Sequence, residues 1–456
     1  MKIEHLLLQP ESKVLAFKRD LSSLEPILKT IVAFANTAGG TLIIGRASDG
    51  AIVGVQDVFR AEEAVANSIA DNIRPSILPE IEIATVGEKD LLVIKVSYWR
   101  APFYLKREGM PQGVYVRLGS TNRPASLELL AELQRSVLTL SYDQQPLVDL
   151  TKNDLQMKDA LRLFRNVNRE IDEEKLKSLG VLVPAAHKFV PSIGGLILFG
   201  KEECRERLVP DARVSCARFV GNDKTNILDR LEIKGTILDA VEEVIKFIAR
   251  NTRLSAEITG IIRKDIPEYC PVAVREALIN ALAHADYSFT GSHIQIAIFN
   301  NRLEIQNPGM LPCGFTLDDF KMGVSRIRNR VIARVFHELK FMEQWGSGYK
   351  RITEACRSDG YPEPKWEEVG AYIRVTFYPS LQTVLTFRES GDELTERELA
   401  ILNLFNPGES LPLREISHRV SFAISKRMLQ YNLALLKIKG VLISKGKGRA
   451  LVWQKK

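Results

Sequence analysis

The chain has 456 residues, of which 45% are hydrophobic and 26% charged, the composition of an ordinary soluble protein too long for a single hydrophobic core. It contains no run of about 18 apolar residues and no signal-peptide segment, so we expect a cytoplasmic protein with no membrane partner. The net charge is +7, and residues 411–456 hold eleven basic residues against one acidic residue, an excess that favours nucleic acid as a partner.

The cysteines and histidines do not form the patterns of a metal centre. The five cysteines lie far apart without a C-x-x-C pair, and the six histidines include no H-E-x-x-H motif. This usage is typical of reduced, structural thiols, and we expect no tetrahedral metal site.

The first part of the chain reads as a compact mixture of strands and helices. A strand in "ESKVLAFKRDL" precedes an amphipathic helix that ends at the glycine pair Gly39–Gly40. A buried strand, "TLIIGRA", then leads into a hairpin turn at residues 48–50.

Basic and aromatic residues alternate between residues 91 and 126. Such strands either bind single-stranded nucleic acid by stacking and phosphate pairing, or form a sheet with one apolar and one solvated face, and both interpretations stay open. The candidate nucleic-acid contacts of this part are Lys18, Arg100, Lys106, Arg107, Arg117 and Arg123.

Four strings in this part agree with one known module: E-S-x-x-L-x-F-K, A-F-A-N-T-x-G-G-x-L-x-I-G, D-G-x-I-V-G and Y-V-R-x-G-S-T-N-R-P-A. Together they resemble the Schlafen-type AlbA module over roughly residues 8–130. The resemblance implies nucleic-acid binding, and some Schlafen relatives cut RNA with clustered carboxylates. Here Glu11 matches one acidic position, but Ala16 stands where another carboxylate is usual. Because metal-dependent cleavage needs several carboxylates, we expect binding without nuclease activity.

After a linker, the central part predicts alternating helices and strands. The pattern indicates a helical element in "LRLFRNVNREIDEEKLKSLGVL", a glycine-bent buried strand in "FVPSIGGLILFG", a strand in "ARVSCARFVG" and an amphipathic helix in "LDAVEEVIKFIARNTRL". Further on we predict a hairpin turning at Asn300–Asn301, helices in "GVSRIRNRVIARVFHEL" and "EQWGSGYKRITEAC", and a strand in "GAYIRVTF".

The segment "REALINALAHADYS" places Glu276, Asn280 and His284 at four-residue spacing on one face of an apolar helix. Buried polar groups need partners. Glu276 and Asn280 either belong to an internal hydrogen-bond network, with His284 satisfied by a backbone carbonyl, or the row binds a ligand.

Several ordered strings resemble the divergent GHKL-type ATPase module of Schlafen-type transcriptional regulators: E-A-L-I-N-A-L-A-H-x-D-Y-S, N-P-G-M-L, S-R-x-R-N and E-x-x-G-S-G-Y-x-R-I. The resemblance implies an α/β sandwich that binds ATP with Mg²⁺, in which Asn280 ligates the metal. Glu276 would be the catalytic group that orients or deprotonates water in the hydrolysing members. The other nucleotide-binding residues implied by this resemblance are His284, Asn307, Gly309, Arg326, Arg328, Gly346, Ser347 and Gly348. Among them, Gly309 would allow close approach of the backbone to the base or ribose, and Arg326 and Arg328 are candidate lid cations.

The glycine turn departs from the usual pattern of that module. Residues 307–311 stand where D-x-G-x-G is typical, so the carboxylate that reads adenine and the second glycine are absent. ATP hydrolysis, at most weak, stays open.

The C-terminal part has the pattern of a winged helix-turn-helix. A capped helix in "TERELAILNLF" is followed by helices in "LREISHRV" and "SKRMLQYNLALLKIKGVL", then by two strands around a basic glycine turn. In this arrangement the third helix enters the major groove, although winged helices also bind proteins. The expected DNA contacts at the helix start and the wing are Ser425, Lys426, Arg427, Lys445, Lys447 and Arg449.

The sequence therefore predicts a multi-domain protein of the α/β (α+β) class. The expected divisions are an AlbA domain at residues 1–136, a linker with a GHKL-like domain at 137–385 and a winged helix at 391–456. We expect a homo-oligomeric, DNA-binding transcriptional regulator with an ATP-responsive core, and RNA is a second expected partner. The alternatives are an ATP-hydrolysing enzyme or nuclease acting on nucleic acid, and a scaffold with a degenerate nucleotide site.

Overall fold

The computed structural model describes residues 3–259, 262–342, 348–380, 396–406, 408–420, 422, 424, 426–438, 440–446 and 451–456. These residues form several sheets and many helices around separate hydrophobic cores, which confirms the predicted multi-domain α+β class. Among the described helices, none is both long and apolar enough to cross a bilayer. All five cysteines are free thiols, and Cys216, Cys270 and Cys356 are buried.

The N-terminal part is a mixed sheet covered by helices. Its strands are β1 (Leu15–Lys18), β2 (Gly40–Ile44), β3 (Ile73–Arg74), β4 (Glu80–Val86), β5 (Lys89–Val96), β6 (Tyr104–Leu105), β7 (Tyr115–Leu118) and β8 (Thr121–Pro124). Its helices are α1 (Ile3–Leu7), α2 (Glu25–Thr37), α3 (Val58–Asn72) and α4 (Leu127–Val137). The main sheet has the order β1-β2-β5-β4, with β1 and β2 parallel. Helices α2 and α3 pack on it through a core that includes Ile31, Phe34 and Ile94.

The central part is larger. Its strands are β9 (Leu182–Ala185), β10 (Lys188–Pro191), β11 (Val214–Phe219), β12 (Ile227–Ile233), β13 (Leu254–Thr259), β14 (Ile262–Pro267), β15 (Ile294–Ile298), β16 (Leu303–Pro308), β17 (Lys365–Val369) and β18 (Tyr372–Phe377). Its helices are α5 (Met157–Asn166), α6 (Glu173–Leu179), α7 (Ile193–Phe199), α8 (Glu202–Leu208), α9 (Ile237–Asn251), α10 (Pro271–His284), α11 (Leu317–Lys321), α12 (Arg330–Glu338) and α13 (Gly348–Ser358).

A six-stranded sheet of order β12-β11-β15-β16-β18-β17 organises this part. Strands β11 and β15 run parallel and the other pairs antiparallel, and the predicted hairpin at Asn300–Asn301 joins β15 to β16. Helices α9 and α10 pack on the sheet and share one continuous core with α7 and α12. The candidate site lies on α10.

One predicted element of the central part is wrong. The segment "FVPSIGGLILFG" is not a glycine-bent strand, because its second half forms the buried helix α7. Ser192 caps this helix by accepting a hydrogen bond from the Gly195 amide at 3.0 Å. A short helix that is apolar on every side has no periodicity to distinguish it from a buried strand.

The C-terminal part contains the predicted helices and strands around its own small core. They are α14 (Glu396–Leu402), β19 (Ser410–Pro412), α15 (Leu413–Arg419), α16 (Lys426–Ile438), β20 (Leu442–Lys445) and β21 (Val452–Lys455). The strands form an antiparallel sheet of order β19-β21-β20. Leu429, Leu433 and Trp453 pack in this core, and Tyr431 donates a hydrogen bond to the Pro379 carbonyl at 3.3 Å.

Candidate nucleotide site and nucleic-acid surfaces

Helix α10 carries the predicted polar row. Pro271 occupies the first helical turn, where its missing N–H costs nothing, and the apolar side chains from Ala273 onward are buried in the core. Glu276, Asn280 and His284 instead line one cavity, as their spacing predicts. The helix therefore uses one narrow face for polar groups and the rest for packing.

The cavity beside this row has a volume of about 110 Å³. Its floor is α10 and the sheet strands β16 and β18, and its cover is the segment 310–326, which we call the lid segment. The aromatic rings of Phe320 and Trp366 pack edge to face on this cover, with centroids 4.8 Å apart. Mostly apolar walls with a few polar groups are typical of small-molecule sites.

Two amide side chains in the cavity have no hydrogen-bond partner among the described residues. They are Asn280 on α10 and Asn307 on β16, the latter only 8% exposed. The indole Nε1–H of Trp366, also in the cavity wall, finds no acceptor in the described part of the chain. Because the Trp366 N–H is buried without an acceptor and the two amides are open to the cavity, this arrangement favours a polar ligand.

Glu276 is held by a cation that the sequence did not single out. Its carboxylate Oε2 lies 3.5 Å from Nη2 of Arg351, one turn into α13, and Glu276 is only 6% exposed. The start of α13 approaches closely: a Cβ added at Gly348 would lie 2.8 Å from Asn280 Nδ2 and 3.5 Å from Glu276 Oε1. The string E-x-x-G-S-G-Y-x-R-I contains Arg351, but only the fold shows what it contacts. Gly346 and Ser347, which precede it, lie outside the described residues.

The side-chain oxygens available in the cavity can hold Mg²⁺ only together with the phosphate oxygens of a nucleotide. Within the described residues, no group of three or more His, Cys, Asp or Glu side chains is placed to hold a metal ion. Asn280 and Glu276 offer one amide oxygen and one carboxylate in the cavity. Mg²⁺ takes six oxygen ligands and is usually bound through one or two side chains plus water and substrate phosphates.

His284 stands at the end of the row in a partly buried position. Burial lowers its pKa to about 4, and the nearby Arg328 guanidinium adds to the effect. The imidazole is therefore neutral at neutral pH and acts in the cavity as a hydrogen-bonding group rather than as a cation.

The structure corrects two of the predicted nucleotide-binding roles. Arg328 is not a free lid cation, because its side chain is 9% exposed, donates to the Met310 carbonyl at 2.8 Å and lies 3.2 Å from the Glu132 carboxylate. Burial disfavours the charged guanidinium, but Glu132 and Asp286 raise the pKa of Arg328 overall. Gly309, with φ of +96°, provides space for this guanidinium rather than for a base or ribose, and neither residue lines the cavity.

Arg326 remains close to the predicted site. It lines the cavity, donates to the carbonyl of Cys313, and lies over the ring of Tyr98 at 5.2 Å. Tyr98 belongs to the N-terminal part, so this contact joins the cover of the cavity to that part of the chain.

The N-terminal nucleic-acid candidates divide into exposed and buried residues. Arg100, Lys106, Arg107 and Arg123 are exposed and Lys18 is half-buried, so all of these can reach a phosphate. Arg117 is corrected to a structural residue, because it is 3% exposed. Its guanidinium donates to the Ser12 carbonyl at 3.0 Å and to the Leu15 carbonyl at 3.2 Å. It also donates to the side-chain oxygen of Asn122 at 2.9 Å.

At the C-terminal part, Lys426 and Lys445 are exposed, at the start of α16 and the end of β20. Ser425, Lys447 and Arg449 lie outside the described residues. Arg427 lies in α16, but its side chain is not described. The proposed contacts at the third helix and the wing thus stay predictions.

Two regions of the chain match protein-family models in the expected order. Residues 11–126 match the model described as "Schlafen, AlbA_2", and residues 291–377 match the one described as "Putative ATP-dependent DNA helicase recG C-terminal", of the HATPase_c_4 type. The chain carries a Schlafen-type AlbA module followed by an ATPase-like module. The resemblance of these two parts is confirmed, and the second match includes β16 and the lid segment.

Two solved structures are similar to this chain. The DIP2311 protein from Corynebacterium diphtheriae is 19% identical over 100% of this chain and 96% of its own, with a TM-score of 0.46. The N-terminal domain of a "Putative ATP-dependent DNA Helicase RecG-related Protein" from Nitrosomonas europaea is 28% identical over 27% of this chain and 92% of its own, with a TM-score of 0.21. No curated protein sequence matches significantly.

Proposed function

We propose that this protein is a nucleic-acid-binding transcriptional regulator whose central cavity binds a nucleotide together with Mg²⁺. The resemblance to the GHKL-type ATPase module indicates that this nucleotide is ATP. One observation carries the proposal. Two unpartnered amides and the buried Glu276, paired with the more exposed Arg351, face the same apolar cavity. Asn307 and Arg351 lie inside the ATPase-like match, and Glu276 and Asn280 lie on the helix before it. A polar ligand in the cavity would give the two amides and the Trp366 N–H their hydrogen-bond partners.

Each polar residue has a definite role in this proposal. The amide oxygen of Asn280 would hold Mg²⁺ beside the phosphates, and bound Mg²⁺ would neutralise part of their charge. The Asn307 amide can donate to and accept from the edge of a base, in place of the usual carboxylate. Arg351 fixes the carboxylate of Glu276 next to Asn280.

Weak hydrolysis of the nucleotide is a second candidate activity, because Glu276 lies one turn from Asn280 and is positioned from a second helix. A carboxylate in this place can orient or accept a proton from a water. Phosphate release over many turnovers that disappears in Glu276→Gln would support it.

The lid segment provides the connection between nucleotide and nucleic acid. The Gly314 amide donates to the carbonyl of Thr37 at the end of α2. The Leu311 amide donates to Glu368 at 3.2 Å, and the same carboxylate pairs with Lys13 at 2.9 Å. Because the segment covers the cavity and touches the AlbA module, a ligand that prefers one lid position shifts the AlbA module as well.

Nucleic acid is the partner because the exposed cations of the AlbA module and the basic C-terminal part provide phosphate contacts. The order of three helices with a three-stranded sheet in the C-terminal part supports a winged helix. We also propose a homo-oligomer, since dimeric DNA-binding proteins read paired half-sites, and light scattering tests this directly.

The test measures nucleic-acid binding with and without nucleotide. The affinities of the full chain for labelled duplex DNA and single-stranded RNA are determined by fluorescence anisotropy, with and without ATP and Mg²⁺. We expect the nucleotide to change the affinity by about 5-fold or more in the wild type and not in Asn280→Ala. Asn222→Ala, an exposed asparagine outside the cavity, is the matched control and keeps the response. An affinity independent of nucleotide in all three proteins contradicts the proposed regulation.

A further inference from the structure

A second, larger cleft lies beside the nucleotide cavity, with a volume of about 650 Å³. Its walls come from the AlbA module around Tyr98 and Arg100, from α4 and the residues after it, and from the lid segment and α12. Arg326 belongs to the walls of both spaces. Of the predicted nucleic-acid-binding residues that the structure describes, Arg100 alone lies in this cleft.

The cleft is strongly positive. Its basic residues are Arg100, Arg135, Arg326, Arg330, Arg334 and His337, in addition to the buried Arg328. The acidic residues in its wall are Glu132 and Asp286, both within 4.0 Å of Arg328, whose single positive charge offsets one of their two negative charges. The five other arginines of the wall outnumber the carboxylate charge that is left, so the cleft keeps an excess of positive charge.

Two of these cations are available to an incoming anion. Arg100 and Arg334 are exposed, and neither makes an ion pair or hydrogen bond to another residue in the described part of the chain. At the base of the cleft, Nε of Arg328 is buried without an acceptor among the described residues. A buried guanidinium N–H that points to no protein oxygen is a second indication of an anionic ligand.

Aromatic rings accompany the cations. Arg326 lies over the ring of Tyr98 at 5.2 Å, and Arg135 lies over the ring of Tyr142 at 5.3 Å. All four side chains line the cleft. Guanidinium and aromatic planes of this kind offer stacking surfaces to bases that are not paired within a duplex.

We infer that this cleft binds single-stranded nucleic acid, with Arg100 and Arg334 contacting the phosphates and the Tyr98–Arg326 and Tyr142–Arg135 pairs stacking on bases. The inference deepens the proposed function, because it rests on nucleic acid as the partner and gives a site distinct from the winged helix and the other exposed AlbA cations. The bound single-stranded nucleic acid would then lie beside Arg326, which also lines the nucleotide cavity.

The test uses the full chain and a labelled oligothymidylate of about 12 nucleotides, with affinities measured by anisotropy over a series of salt concentrations. We expect Arg100→Glu combined with Arg334→Glu to weaken binding by about tenfold or more. The salt slope of log K should fall by about 1.4, since each lost phosphate contact on a single strand removes about 0.7. Arg230→Glu, an exposed arginine on β12 that does not line the cleft, is the matched control and keeps wild-type binding. Thermal unfolding confirms that each variant is folded.

The outcomes separate this inference from the proposed function. If the double variant binds like the wild type while Lys106→Glu with Arg107→Glu loses binding, the protein binds nucleic acid but the cleft does not, and the inference is overturned. If mononucleotide competes as well as the oligonucleotide, the cleft is a small-anion site and the inference also fails. If no variant and no wild type binds single or double strands, nucleic-acid binding itself is refuted.

Discussion

Asn36 and Arg117 stabilise the AlbA module from inside. The Asn36 amide donates to the carbonyls of Phe103 and Tyr115 at 2.8 and 2.9 Å and accepts from the Phe103 amide at 2.8 Å. The hydroxyl of Thr37 accepts from the Arg117 amide at 2.8 Å. The A-F-A-N-T-x-G-G string therefore joins α2 to Phe103 and to strand β7, and its Asn36 and Thr37 side chains have structural partners.

We predict that Arg117→Ala lowers the free energy of unfolding of the AlbA module by about 3 kcal/mol, because three buried oxygen acceptors lose their donor. Hydrogen exchange of peptides from α2 during urea unfolding measures this loss. Arg123→Ala, at an exposed arginine of β8, should change the stability by less than about 0.5 kcal/mol. Equal effects of the two changes would show that Arg117 is not a structural residue.

His284 makes the stability of the central part depend on pH. Its pKa of about 4 in the folded chain lies below the usual value of about 6.5, so the unfolded chain binds a proton between these values and the folded chain does not. Stability is therefore complete above about pH 6.5 and is lost as the pH falls. Between pH 7 and 5 we expect a loss of about 2 kcal/mol that His284→Gln removes. Urea unfolding of the wild type and of His284→Gln at the two pH values measures this loss of stability. His187→Gln, at an exposed histidine, is the control. If His284→Gln loses as much stability as the wild type, the burial of the His284 imidazole is contradicted.

Residue identity alone could not reveal all of the site. The four-residue spacing predicts that Glu276, Asn280 and His284 share one face, and the structure confirms it. The pairing of Glu276 with Arg351 depends on how α13 packs against α10, which no local pattern contains. For the same reason Arg328 resembled a lid cation, although its partner Glu132 is almost two hundred positions away in sequence and meets it only in the fold.

At the scale of elements, the lid segment and α4 are joined through Arg328. The guanidinium donates to Glu132 of α4 and to the Met310 carbonyl, and it lies 4.0 Å from Asp286 after α10. Nearby, Asp143 accepts from the first three amides of α12, and Asn329 donates to the carbonyls of two residues at the end of α10. These contacts fix the ends of α10 and α12 relative to the linker.

A double-mutant cycle measures the strength of that junction. We expect a coupling energy between Arg328→Met and Glu132→Gln of about 1–3 kcal/mol, because the pair is largely desolvated. The readout is the free energy of opening of α4 by hydrogen exchange. The exposed pair Lys246 and Glu242 on α9 is the control, with an expected coupling below about 0.5 kcal/mol. A coupling at Arg328 as small as this control would show that it does not brace the two elements.

Elements with a clear period were predictable, and buried ones were not. The amphipathic α9 and the β15–β16 hairpin appear where the patterns predict them. Helix α7 was predicted as a strand because it is apolar all round, and its nature depends on the cap at Ser192 and on packing against neighbours. The spacing of residues in the sequence likewise did not predict that the lid segment covers the cavity.

At the scale of the whole molecule, the AlbA module and the central part have separate cores, which meet at the lid segment and at the pairs Arg328–Glu132 and Lys13–Glu368. The segment touches Thr37 of the AlbA module on one side and covers α10 on the other. We predict that ATP with Mg²⁺ changes hydrogen exchange both in residues 310–326 and at the end of α2, by a population shift of the lid. Asn280→Ala should show neither change, and a change restricted to the cavity would mean that the lid does not transmit the signal.

The order of modules was predictable because each carries ordered strings of its own, and the two family matches confirm it for the AlbA and ATPase-like parts. How the modules contact each other was not predictable from the sequence. The contacts that join them, such as Gly314 to Thr37 and Arg326 over Tyr98, are single interactions between distant segments. Those contacts are also the ones through which the proposed regulation by a nucleotide would act.

Nucleotide binding by the central cavity is tested most directly by calorimetric titration of ATP with Mg²⁺ into the wild type, Asn280→Ala and the control Asn222→Ala. We predict saturable binding with one site per chain in the wild type and the control, and its loss in Asn280→Ala. A dissociation constant of about 1 mM corresponds to a binding free energy of only about −4 kcal/mol. If the wild type binds no nucleotide at about 1 mM, nucleotide binding by the cavity is contradicted, and the polar row of α10 is core architecture.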